Sequence, residues 1–121
     1  MSIEPEFTEM PGYLLAVASG QWTTKAATKF LDEVKHEAES RGMTRLLIDV
    51  LPLRMPSSEF TRYETGVYLA EILYPPFKIA VIANPEDINR FSENVASNRG
   101  ATIKNFTGRQ EAVDWLMKET G

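Results

Sequence analysis

Three short, almost unbroken apolar runs (13–18, 45–50 and 78–83) alternate with stretches whose hydrophobic residues recur at helical spacing. A strand reads as continuous apolar sequence only when both of its faces are buried, the situation of a parallel sheet covered by helices. Tyr13-Leu14-Leu15-Ala16-Val17-Ala18 is the clearest such run. Met10-Pro11-Gly12 before it marks a turn, so residues 2–9 are expected to fold back as an antiparallel edge strand. Pro5 suits an edge, because proline cannot donate to a ladder. From Thr24 to Arg41 the period changes: Ala27, Phe30, Leu31, Val34 and Ala38 define one helical face, and Gly42 stands where a helix-ending glycine belongs.

The pattern repeats along the chain. After 45–50, residues 51–57 hold two prolines and read as a loop, and 58–73 read as a helix closed by Tyr74-Pro75-Pro76. After 78–83, Asn84-Pro85-Glu86-Asp87 has the capping residue, first-turn proline and acids of a helix start. That helix runs to Arg99, and Gly100 stops it. Residues 102–106 form a more polar strand, placed at the sheet's other edge, and Thr107-Gly108-Arg109-Gln110 matches a capping box for a last helix. Strand–helix–strand units of this length require parallel neighbours with right-handed crossovers. The expected architecture is α/β: one domain over 1–121, with a mixed five-stranded sheet, parallel at its centre, and about four helices.

Composition narrows the chemistry. There is no cysteine and a single histidine, which excludes disulfides, thiolate sites and multi-histidine metal centres. The net charge of −4 argues against nucleic acid as a partner. No apolar run approaches the roughly 18 residues of a membrane span. Met1 to Glu6 is acidic and lacks the basic and apolar regions of a signal peptide, so the expectation is a cytoplasmic protein. His36 lies about 200° around its helix from the apolar stripe, on the solvated side with Glu33 and Glu37. Neither a dinucleotide fingerprint nor a phosphate-binding loop occurs. No catalytic residue, metal ligand or cofactor is therefore assigned, and the chain is read as non-enzymatic. Asp49, at a strand's C-terminal end, is explained as well by turn bonding as by catalysis.

In open α/β sheets, ligands gather outside the carboxyl ends of the parallel strands. Polar helix starts fall at that edge: Thr23 or Thr24, Ser57 and Ser58, Asn84, and Thr107. Their free N–H groups favour an anion, and they are equally the residues that best cap helices. Arg54, Ser57, Ser58, Arg62 and Tyr63 cluster around the start of the 58–73 helix, with Gly66 at its middle. A mid-helix glycine costs up to about 1 kcal/mol relative to alanine and marks close packing or a close ligand. Phe60, Tyr63 and Val67 would supply an apolar wall, while Trp22 and the turn ending in Phe77 offer aromatic surface or core.

The segment Leu47-Ile48-Asp49-Val50, a loop, then Met55-Pro56-Ser57-Ser58-Glu59-Phe60 resembles the STAS fold of anti-sigma-factor antagonists. That resemblance implies a phosphorylation switch at Ser57, with Ser58 beside it. Pro56 and Glu59 stand where the family has aspartate and glycine. Residues 62–66, Ala80-Val81-Ile82-Ala83, Asn98-Arg99-Gly100, Phe106-Thr107 and Ala112-Val113-Asp114-Trp115-Leu116 are similar to the SpoIIAA-like group of small bacterial proteins, with its CRAL-TRIO-like architecture. The resemblance implies a regulatory or protein-interaction module with an unknown protein partner. The alternative is a carrier or sensor of a small apolar or amphipathic anionic ligand. Pairing of edge strands across a two-fold axis would make a homodimer.

Overall fold

A computed structural model describes residues 3–54, 67, 68, 71, 77–85 and 102–118. The elements in chain order are β1 (Ile3–Met10), β2 (Tyr13–Gln21), α1 (Thr24–Ser40), β3 (Arg45–Asp49), β4 (Leu53–Arg54), β5 (Lys78–Ile82), β6 (Thr102–Phe106) and α2 (Arg109–Met117). The main path of the sheet is β1-β2-β3-β5-β6, antiparallel between β1 and β2 and parallel from β2 onward. The mixed sheet, its parallel centre and both edge strands match expectation.

The count differs in two respects. The sheet has six strands rather than five, because β2 runs on to Gln21 and there pairs with the two-residue β4. Two helices, not four, stand as complete elements among the described residues. Val67, Tyr68 and Glu71 are helical, within the helix expected over 58–73. The rest of that helix, and the one expected to run to Arg99, lie outside the described residues.

Alternating side chains sort the core into two layers. Leu14, Ala16, Ala18, Leu46, Ile48 and Ile79 face α1, whose Ala27, Phe30, Leu31, Val34 and Ala38 form the buried stripe. Tyr13, Leu15, Leu47, Ala80 and Ile82 face α2, which buries only Ala112 and Leu116. Trp22 and Phe77 belong to the α1-side core, so the aromatic surface considered for them is interior. Trp22 Nε1 has no hydrogen-bond partner among the described residues.

Local chemistry sets the ends of the elements. Thr23 caps α1, its hydroxyl accepting from Ala26 N at 3.0 Å, and Gly42 follows the helix at φ +65°. The capping box expected at Thr107 does not form. Gly108 is the N-cap of α2, with no side-chain cap bond, and Gln110 Nε2 donates instead to Asp114 Oδ1 at 2.8 Å. The helix begins one residue too late for the Thr107 hydroxyl to reach its amides. At the β1–β2 turn, Gly12 has φ +88°, and a Cβ there would lie 2.5 Å from Met117 Cε. Gly12→Ala should therefore lower stability by about 1–2 kcal/mol, from left-handed strain plus displacement of the Met117 tip. Urea denaturation would measure it, and an unchanged midpoint would refute the strain argument.

Candidate functional site

The carboxyl ends of the parallel strands bring together Asp49 of β3, Asn84 beyond β5, Thr107 beyond β6, and Arg54 of β4. Backbone pairing continues past the strand ends, with Val50 N donating to Ile82 O and Ala83 N to Phe106 O, each at 2.9 Å. These bonds tie Val50 and Ala83 to the neighbouring strands.

Asp49 organises the edge. Its Oδ1 accepts from Leu51 N at 3.0 Å, closing an aspartate turn, and Leu53 N donates back to Val50 O at 3.0 Å. Its Oδ2 lies 3.5 Å from Arg109 Nη2. The Asp49 side chain is only 12% exposed and that of Arg109 53%, so a nearly buried carboxylate is neutralised by a cation that also faces water. Both carboxylate oxygens are thus engaged, and turn bonding is what Asp49 does. The turn pushes Leu51 outward, where it is 40% exposed, one of two large hydrophobic residues so placed among those described. Arg54 is exposed, while its carbonyl accepts from Trp22 N at 2.9 Å and Gln21 Nε2 at 3.4 Å.

Of the residues singled out from sequence, Arg54 and Thr107 are exposed, and Asn84 and Val67 are half-buried. Ser57, Ser58, Phe60, Arg62, Tyr63 and Gly66 lie outside the described residues. His36 is exposed on α1, and no group of three carboxylate or imidazole side chains is placed to hold a metal among the described residues. Among them, too, no helix is long and apolar enough to cross a membrane. Three important residues were not anticipated. Arg109 carried a signal: a cation in a helix's first turn opposes the dipole and so calls for an anionic partner. Leu51 was read only as part of the 51–57 loop. Lys78, buried at the start of β5, was absorbed into an apolar run.

Lys78 works at the opposite end of the sheet. Its Nζ donates to Trp115 O at 2.7 Å and Lys118 O at 2.9 Å, and sits 4.5 Å from the Trp115 ring centroid. It closes the C-terminus of α2, as Arg109 anchors its beginning. Burial, then the charges of Arg45 and Lys118, hold the Lys78 pKa below the usual lysine value. On the α1 side, Tyr68 OH donates to Asp32 Oδ1 at 2.6 Å, and this bond to a carboxylate raises the phenol's pKa.

No family model matches the chain, and no curated protein does. Solved structures do. An uncharacterized protein of the DUF3478 family from Shewanella loihica PV-4, described as having a SpoIIAA-like fold, superposes with a TM-score of 0.59 at 22% identity. The match covers 95% of this chain and 93% of that one. An anti-sigma factor antagonist from Mycobacterium paratuberculosis gives a TM-score of 0.67 at 14% identity, over 97% and 96% of the two chains. The fold is SpoIIAA-like. Both matches run nearly end to end, so the SpoIIAA-like fold accounts for the hairpin, the parallel centre and the helix after β6 together. At these identities the likeness is one of architecture.

Proposed function

We propose that this chain is a regulatory protein-interaction module, non-enzymatic, whose partner surface is the carboxyl edge of the sheet around Leu51 and whose switch is Ser57. The observation that carries the reading is Leu51, an exposed leucine held on a rigid turn between the Asp49–Arg109 pair and Arg54. An apolar knob ringed by charges is how interfaces combine a desolvated anchor with a polar rim. The edge offers no acid–base pair among the described residues: both oxygens of Asp49 are engaged, and the only histidine is on α1. The name of the Mycobacterium protein also describes action on another protein.

Ser57 follows Arg54 by three positions. A phosphate there would bring nearly two negative charges within three residues of Arg54, altering the local charge without refolding the domain. The test is partner capture from the source lysate, followed by titration calorimetry with the captured protein. Leu51→Ser should weaken binding about tenfold or more, with stability moved by no more than about 0.5 kcal/mol. Ser57→Asp should alter capture and Ser57→Ala should not. Full capture by Leu51→Ser would remove the surface, and equal behaviour of both Ser57 variants would remove the switch.

A further inference from the structure

The outer edge of β1 is unpaired among the described residues, and its register with β2 reveals which backbone groups it offers. A two-residue hairpin loop is closed by a hydrogen-bonded pair, here Met10↔Tyr13, and bonded pairs then alternate along the ladder. Thr8, Glu6 and Glu4 therefore direct their N–H and C=O toward β2, whereas Glu9, Phe7, Pro5 and Ile3 direct theirs outward. Pro5, which has no N–H, falls on the outward set, so the outward donors are those of Ile3, Phe7 and Glu9. The Phe7 side chain packs toward α1 and floors a groove of about 420 Å³ walled by Lys29, Asp32, Glu33, His36 and Glu37.

The groove already holds one guanidinium at its end. Arg41 lies between strand and helix, with Nη2 3.1 Å from Glu37 Oε2 and Nη1 3.7 Å from Glu9 Oε1. Asp32 is engaged by Tyr68, while Glu33, half-buried, has no partner among the described residues. A long basic side chain would lay its aliphatic stem on the Phe7 ring and bring its charge to Glu33, as Arg41 does at Glu37.

We propose that β1 and this groove form a second docking surface, which takes an extended basic segment of a partner protein as an added strand. One of its Lys or Arg side chains lies between Phe7 and Glu33. A second copy of the chain fits the edge poorly, because antiparallel self-pairing of β1 about its middle sets Glu6 against Glu6 or Glu4 against Glu6.

The probe is a short fluorescein-labelled peptide of alternating threonine and lysine, compared with its threonine–glutamate counterpart by anisotropy and by amide exchange. The lysine peptide should bind about tenfold more tightly than the glutamate peptide, and Glu33→Lys should reverse that order. Binding should protect the Phe7 and Glu9 amides, which face away from β2, and leave the Thr8 and Glu6 amides protected throughout. Equal binding of the two peptides would overturn the proposal, as would protection that spares Phe7 and Glu9. Sedimentation showing a dimer that itself protects those amides would overturn it too, by giving the edge to a second copy.

Discussion

Leu116→Ala should destabilise the protein by about 3 kcal/mol, with the loss concentrated in α2. The helix has nine residues and buries two of them, Ala112 and Leu116, each at 0% exposure. Only Leu116 has a side chain large enough to anchor it, and it packs into the layer formed by Tyr13, Leu15, Leu47, Ala80 and Ile82. Truncating a fully buried leucine costs its transfer free energy plus that of the residual cavity, together about 2–5 kcal/mol. Urea denaturation gives the global figure, and amide exchange across 109–117 gives the local one. Val113, half-buried beside it, is the control, and Val113→Ala should cost about 1 kcal/mol or less. A Leu116→Ala loss no larger than that of the control would mean that α2 is held mainly by the polar contacts at its two ends.

That contrast shows which parts of the architecture were legible in the residues. The runs at 13–18, 45–50 and 78–83 announced themselves because a strand covered on both faces has no polar side, and the stripe of Ala27, Phe30, Leu31, Val34 and Ala38 returned as the buried face of α1. Pro5 and the polar 102–106 segment both pointed to edges and both lie at them. β4 left no trace in periodicity, since two residues carry none. It exists because β2 extends to Gln21 and presents a ladder that Leu53 and Arg54 complete. The cap of α2 was misplaced by one residue because Thr107-Gly108-Arg109-Gln110 carries the side chains of a capping box, yet the helix starts from Gly108, which has no side chain to cap with.

The site divides along the same line. Asp49 was visible from its place at a strand end, but its engagement was not, because Arg109 is remote in sequence and arrives only through the crossover to β6 and the return of α2. Leu51 is exposed for a reason that lies two residues earlier, in the Asp49 turn, rather than in its own neighbours. Pattern reading assigns leucine to the core by default. An exposed leucine therefore becomes informative only once the fold shows which turn carries it.

Lys78→Met should cost about 2 kcal/mol at neutral pH, through loss of a charged donor shared by two carbonyls at the end of α2. Methionine retains the stem that runs beneath Trp115, so the loss reports the ammonium rather than the packing. Trp115 O keeps the Lys118 N–H, at 3.3 Å, whereas Lys118 O loses its bond to Nζ. The pH dependence has a definite sign. Burial lowers the folded-state pKa of Lys78 below 10.5, aided by Arg45 and Lys118. Below that folded value, the folded and unfolded chains both hold the proton, and the full desolvation penalty opposes the two bonds to the carbonyls. Between the folded value and 10.5, the unfolded lysine remains protonated while the folded one has released its proton, so stability rises with pH across that window. The advantage of the native chain over Lys78→Met should accordingly widen as the pH rises through the folded value toward 10.5, in paired urea titrations that cancel the other titrating groups. A narrowing gap would show that the carbonyls and the Trp115 ring stabilise the ammonium by more than burial penalises it.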